Sequence, residues 1–150
     1  MRIISHRGYI DGEDYTLENN PEQIRKMLEI NFDVEIDVWY NDGFYLGHDE
    51  ERYKVDLEFL HQDGLWCHAK NIEALENMLN EDIHCFWHQE DAYTITSKGF
   101  IWSYPNSISV DPRKSICLLP EKTKQNFDNY YGICTDYPSL YMRKFNDKIY

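Results

Sequence analysis

The chain has 150 residues, one domain by length, and carries 15 Lys and Arg against 27 Asp and Glu for a net charge of −12. A surface that acidic repels nucleic-acid phosphates and anionic lipid, which argues against nonspecific DNA or RNA binding. A mean hydropathy of −0.69, with no apolar run near the length of a membrane span, argues against membrane insertion.

The opening Met1–His6 turns polar too quickly for a signal peptide, so the expected location is the cytoplasm. Runs of β-prone apolar residues follow at 2–5, 32–39, 44–47, 65–69, 83–87, 100–104, 115–119 and 132–135, predicting eight strands. A first helix is predicted from Asn20 as N-cap and Pro21 at its first position, with Ile24, Met27 and Leu28 at helical spacing. A shorter one is predicted over 57–61. A second full helix starts at Asn71, with Ile72, Leu75, Met78 and Leu79 on one side, and a last one follows Pro138.

Strands alternating with helices imply parallel pairing through right-handed crossovers. Eight of them predict a compact (β/α)8 barrel of the TIM type, as one domain over 1–150. That fold typically needs ~250 residues, so several later outer helices are expected to be shortened or missing. An open α/β sheet built from the same early units is the rival. Tyr93, Phe100, Trp102, Tyr104, Phe127, Tyr130, Tyr131 and Tyr137 all fall in the late half, either capping strands that lack helices or forming a homodimer surface.

Within 33–38 the acids Asp33, Glu35 and Asp37 alternate with Val34, Ile36 and Val38. On a surface strand the acidic side faces solvent; on a parallel strand covered by helices it points inward and requires a cation or base. Carboxylates at i and i+2 share a face, so Glu35 and Asp37 can grip one divalent ion. The same alternation puts Trp66, His68 and Lys70 on one face of the next strand, with His68 a third ligand or a carboxylate's hydrogen-bond partner and Lys70 placed for a phosphate oxygen. His6 and His48 are imidazoles able to trade protons near neutral pH, and Arg7 suits a phosphate. His84 and His88 share a face of the strand over 83–87, and His88 lies nearer its end. The cysteines Cys67, Cys85, Cys117 and Cys134 form no C-x-x-C pair and read as buried reduced thiols. Zinc held by Cys67, Cys85, His84 and His88 fits no familiar spacing.

In order, these segments resemble the glycerophosphodiester phosphodiesterase family and the wider phospholipase-C-like phosphodiesterases. The series is His6-Arg7-Gly8, Leu17-Glu18-Asn19-Asn20-Pro21, Asp33-Val34-Glu35-Ile36-Asp37-Val38, Asn41-Asp42-Gly43, Leu46-Gly47-His48-Asp49 and Gly132-Ile133-Cys134-Thr135-Asp136-Tyr137-Pro138. The resemblance implies cleavage of a small phosphodiester, with His6 and His48 as general acid and base. It further implies Mg²⁺ or Ca²⁺ on Glu35 and Asp37, and Arg7 and Lys70 on the phosphate. It also admits a cyclic phosphate formed by a neighbouring hydroxyl of the substrate. The family carries an acid two residues before the strand lysine, where this chain has His68; imidazole suits Mn²⁺, Fe²⁺ or Zn²⁺ better. Trp102 is a candidate for the mouth of the site. The alternatives are a phosphate-binding barrel without turnover and an interaction protein using the aromatic C-terminal half.

Overall fold

A computed structural model describes residues 1–108, 111–123 and 125–147. Among these are ten strands: β1 (Arg2–His6), β2 (Asp33–Tyr40), β3 (Phe44–Leu46), β4 (Tyr53–Val55), β5 (Leu65–Ala69), β6 (Cys85–Trp87), β7 (Tyr93–Ile95), β8 (Ile101–Ser103), β9 (Ser115–Leu118) and β10 (Gly132–Thr135). Four α-helices accompany them: α1 (Pro21–Glu29), α2 (Leu57–Leu60), α3 (Ile72–Asn80) and α4 (Pro138–Asp147).

All ten strands belong to one sheet. Its parallel part runs β6-β5-β2-β1-β10-β9-β8. The fold is nevertheless not a (β/α)8 barrel of alternating strands and helices; it is a mixed α/β fold in which that alternation fails in two places. The run at 44–47 does not form a parallel strand. Asn41-Asp42-Gly43 closes a tight turn with positive φ at Asp42 and Gly43, and so short a connection permits only antiparallel return, here β3 on the end of β2. After β6 no α-helix intervenes until α4 among the described residues: 3-10 turns at Pro112–Lys114 and Pro120–Lys122 and loops do the connecting. The segment from 88 to 131 carries Pro105, Pro112 and Pro120, and proline disfavours a helix interior. Two short strands not foreseen from the sequence, β4 and β7, extend the sheet as antiparallel additions.

The sheet curls strongly. Trp66 on β5 lies 5.8 Å from Trp102 on β8, ring to ring, and Phe86 on β6 lies 4.9 Å from Trp102, although β6 and β8 are the two ends of the parallel run and β5 is next to β6. The β7 segment ties the ends together, with Thr94 Oγ1 donating to the Trp87 carbonyl at 2.8 Å and Ser97 N to the Cys85 carbonyl at 2.7 Å. Two apolar clusters result. The larger fills the space between the sheet's outer face and α1, α3 and α4, and the smaller packs Ile4, Trp66, Phe86, Trp102, Ile116, Leu118 and Cys134 on the inner face.

The helices begin where their caps dictate. Asn20 Oδ1 accepts from Glu22 N and Gln23 N, and α1 buries Ile24 and Met27. Asn71 Oδ1 accepts from Ala74 N and Tyr40 N while its Nδ2 donates to the Tyr40 carbonyl, pinning the start of α3 to the end of β2. The buried face of α3 differs from the expected one. Ala74 and Met78 are buried and Leu75 partly so, whereas Ile72 and Leu79 are half exposed, because the capped start fixes which side meets the sheet. Of the late aromatics, Trp102 is internal, Phe127 and Tyr130 pack with Tyr141 of α4 on the outer face, and Tyr93 and Tyr137 remain exposed. No helix among the described residues is long and apolar enough to cross a membrane.

Candidate functional site

The inner face of the sheet changes character along each strand. Near the strand starts it is apolar, and two residues further on it turns polar: Ile4 is followed by His6, Trp66 by His68 and then Lys70, Phe86 by His88, Trp102 by Tyr104, Cys134 by Asp136. On β2, Glu35 and Asp37 are buried at 3% and 0% exposure, so the acidic side of that strand faces inward rather than solvent. The period of two along a strand therefore assembles a polar ring at the C-terminal ends of the parallel strands. A cavity of about 500 Å³ opens there. His6, Arg7, Glu35, His48, His68 and Lys70 supply polar lining, and Trp87, His88, Tyr104, Pro105 and Leu119 supply a more apolar part. Trp102 and Phe86 are almost fully buried and make its floor, which places Trp102 beneath the cavity and not at its mouth.

His6 Nδ1 stands 2.6 Å from Asp136 Oδ1. An ionised carboxylate only accepts, so Nδ1 carries the hydrogen of this bond, and Nε2 lies 3.9 Å from Glu35 Oε2. Burial pushes the Asp136 carboxyl up, but the His6 hydrogen bond and Lys122, 3.5 Å away, outweigh it and hold the group below the ordinary carboxylate range. Glu121 accepts from the Asp136 backbone N and from Thr135 Oγ1, both at 2.9 Å, which fixes the end of β10. His48 follows β3 on the turn that returns to β4. Its Nδ1 likewise faces a carboxylate, Asp49 Oδ1 at 2.7 Å, but this pair is far more exposed.

Asp37 sits at the centre. Asn19, fully buried with φ of 53°, donates its Nδ2 to Asp37 Oδ2 at 2.9 Å and accepts from Asp37 N at 2.9 Å. Arg7 Nε lies 3.3 Å from the same oxygen, while the Arg7 Nη1 pairs with Glu18, so the guanidinium is shared between the cavity and its acidic surroundings. Burial raises the Asp37 carboxyl, yet His68, Arg7 and Lys70 together hold it far below its ordinary value. Burial and the adjacent Asp37 instead push Glu35 up. His68 Nδ1 is 3.2 Å from Asp37 Oδ1 and 3.8 Å from Glu35 Oε1, and despite burial these carboxylates raise its pKa.

Glu35, Asp37 and His68 offer one ligand atom each within 4.8 Å of one another, the one such group of three or more found among the described residues. Asp37 Oδ1 is buried without a hydrogen bond of good geometry. Two carboxylate oxygens and an imidazole nitrogen closing on one point fit a divalent cation, although His68 Nδ1 at 3.2 Å and Lys70 Nζ at 3.5 Å already face Asp37 Oδ1. The zinc alternative is different. Cys67 and Cys85 are register partners in the outer-face cluster, whereas His84 packs, tilted, against inward-facing Trp66, so the sheet separates them. The four cysteines are free and buried.

Three contributions were not assigned from sequence. Asp136 lies in the Gly132–Pro138 segment, and its position two residues beyond inward-facing Cys134 was the available signal for it. Asn19 stands in the Glu18-Asn19-Asn20 segment, but nothing local ties it to a strand 18 residues away. The third is a backbone group, the His88 carbonyl, 3.1 Å from His68 Nε2.

Away from the cavity, His84 lies among Trp66, Phe100 and Thr96, with Nε2 2.9 Å from Thr96 Oγ1. Burial, helped by Lys98, lowers its pKa to about 4. Since the unfolded imidazole titrates near 6.5, the unfolded chain takes up the proton first as pH falls. Stability is then full above about 6.5 and declines toward pH 4. After allowance for solvent screening at a partly exposed ring, the loss is on the order of 1–2 kcal/mol. Urea midpoints at pH 7 and 4.5 will show a larger drop for the parent than for His84→Gln; equal drops exclude this residue as the source.

No protein-family model, no curated protein and no solved structure matches the chain.

Proposed function

We propose that the protein is a metal-dependent phosphodiesterase acting on a small, glycerophosphodiester-like substrate, of the phospholipase-C-like kind that its motifs resemble. The observation that carries this reading is a single cavity lined by two histidines, each with a carboxylate on Nδ1, by Glu35 and His68, which cluster with fully buried Asp37, and by the cations Arg7 and Lys70.

His6 is the general base. Its Nε2 faces the cavity, and buried Asp136 orients the ring and stabilises the imidazolium formed when it takes a proton. The proton comes from the nucleophile, either a neighbouring hydroxyl of the substrate or water. His48 is the general acid: it lines the same cavity and is more exposed than His6, which suits release of a leaving alcohol. Lys70 and Arg7 supply positive potential for the phosphate, and Arg7 also offsets the charge of Asp37 and Glu18. Glu35, Asp37 and His68 would hold the divalent ion, Mg²⁺ or Ca²⁺ by resemblance; when bound, it draws charge from the non-bridging oxygens. Attack by a substrate hydroxyl yields a cyclic phosphate, which His6 and His48, with roles exchanged, can open with water. Four buried free thiols accord with a reducing, cytoplasmic setting.

Chelated protein incubated with glycerophosphoethanolamine and glycerophosphocholine, with and without added divalent metal, tests this by ³¹P NMR. The expected result is loss of the diester resonance only with metal, and growth of a cyclic phosphate or monoester signal. Diesters left intact under every metal overturn the catalytic reading, and broadening of their signal without turnover points to a phosphate-binding protein instead.

A further inference from the structure

The three groups that meet at the cation position each have their other polar atom anchored elsewhere. Asp37 Oδ2 accepts from Asn19 Nδ2 and lies beside Arg7 Nε, which leaves Oδ1 facing the cluster with no hydrogen bond of good geometry. Glu35 Oε2 is met by the Arg7 backbone N at 3.3 Å, and Oε1 turns toward His68. His68 Nε2 lies 3.1 Å from the His88 carbonyl. A carbonyl cannot donate, so Nε2 carries a hydrogen, and Nδ1, 3.2 Å from Asp37 Oδ1, is the atom a cation would take, in place of the hydrogen shared with that carboxylate. Stacking of the His68 ring on Phe86, at 5.1 Å and 3°, fixes the plane in which Nδ1 points. Such anchoring of the remote ring nitrogen is how metal-binding histidines are oriented.

From this arrangement we infer that the site selects a first-row transition ion, of which Mn²⁺ is the probe, over Mg²⁺ and Ca²⁺. Glu35 Oε1, Asp37 Oδ1 and His68 Nδ1 are its protein ligands, and the His88 carbonyl sets the imidazole tautomer. Mg²⁺ and Ca²⁺ are hard ions that favour oxygen, and a neutral nitrogen donor in place of a carboxylate withholds both the preferred atom and a negative charge. The Lys70 ammonium, 3.5 Å from Asp37 Oδ1, sits on a flexible stem and can turn to the phosphate as the ion enters. The inference rests on the proposed function only for the position of the ion, because it can be read with no substrate present.

The experiment is calorimetric titration of the chelated full-length protein with Mn²⁺, Mg²⁺ and Ca²⁺, repeated on His68→Asp, with pulsed EPR of the Mn²⁺ complexes. The parent is expected to bind Mn²⁺ at least about tenfold more tightly than Mg²⁺ or Ca²⁺ and to show ¹⁴N coupling from imidazole. In His68→Asp the coupling disappears and the preference shrinks, mostly through tighter Mg²⁺ and Ca²⁺ binding. Mg²⁺ or Ca²⁺ binding as tight as Mn²⁺, no Mn²⁺ binding, or a preference unchanged in His68→Asp overturns the inference. If that variant does not fold, ¹⁴N coupling in the parent decides, and its absence excludes His68 as a ligand. Intact Mn²⁺ selectivity with no diester cleavage would count against the phosphodiesterase reading alone.

Discussion

His6→Ala is expected to lower kcat on a glycerophosphodiester by about 10²–10⁴-fold, or roughly 3–5 kcal/mol of transition-state stabilisation, with the near-UV CD spectrum unchanged. The size follows from the position of the ring. His6 ends β1, its Nδ1 is held by a carboxylate that is 1% exposed, and its Nε2 faces the cavity beside Glu35. Alanine removes the base but leaves the β1 ladder to β2 and β10 in place, so KM should move much less than kcat. Asp136→Asn keeps the hydrogen-bonding shape but loses the charge that favours the imidazolium, and should also lower kcat, by less than His6→Ala. Parent-like turnover in His6→Ala would remove His6 from the mechanism whatever the fate of the other residues.

Gly47→Ala should be among the most damaging single changes to both stability and activity. Gly47 has φ of 151°, and a Cβ built there would stand 2.0 Å from the Glu50 carbonyl oxygen and 3.1 Å from Arg52 Cβ. The turn cannot easily give way. Gly47 N donates to the Asp37 carbonyl, the Gly47 carbonyl accepts from Trp39 Nε1 at 2.7 Å, and Arg52 N donates to the Leu46 carbonyl. A methyl group at this point must break one of these anchors, at a cost of about 2–4 kcal/mol. For a chain of this length that lowers Tm by roughly 10 °C. Because His48 is the next residue, the same shift carries its imidazole off the cavity rim and lowers turnover even below the melting transition. A Tm within about 2 °C of the parent, with full activity, would show that the turn tolerates a side chain.

Local features of the site were readable because they repeat with the backbone. Alternation of acid and aliphatic residues in Asp33–Val38 specified which of them share a face, and burial of Glu35 and Asp37 follows from that face turning inward. Asn20 with Pro21, and Asn71, marked two helix starts through hydrogen bonds that span only a few residues. The fold class was harder to read. A count of β-prone runs does not say which neighbour each strand takes, and the tight turn after Tyr40 made the third run an antiparallel hairpin arm. The β4 and β7 strands are three residues each, too short to show a period.

What the amino-acid sequence determined by itself is therefore which groups share a face, Glu35 with Asp37 and His68 with Lys70, because the two-residue repeat of a strand is a local property; that these faces turn inward is a property of the folded sheet. What only the tertiary structure decided is their company. Asp136 reaches His6 across 130 residues, Asn19 clasps Asp37, and the His88 carbonyl assigns the His68 hydrogen. Those contacts depend on strand order, register and the curl that brings β5 and β6 to face β8. Such features arise from packing the whole sheet around Trp66, Phe86 and Trp102, and no short stretch of the chain encodes them alone.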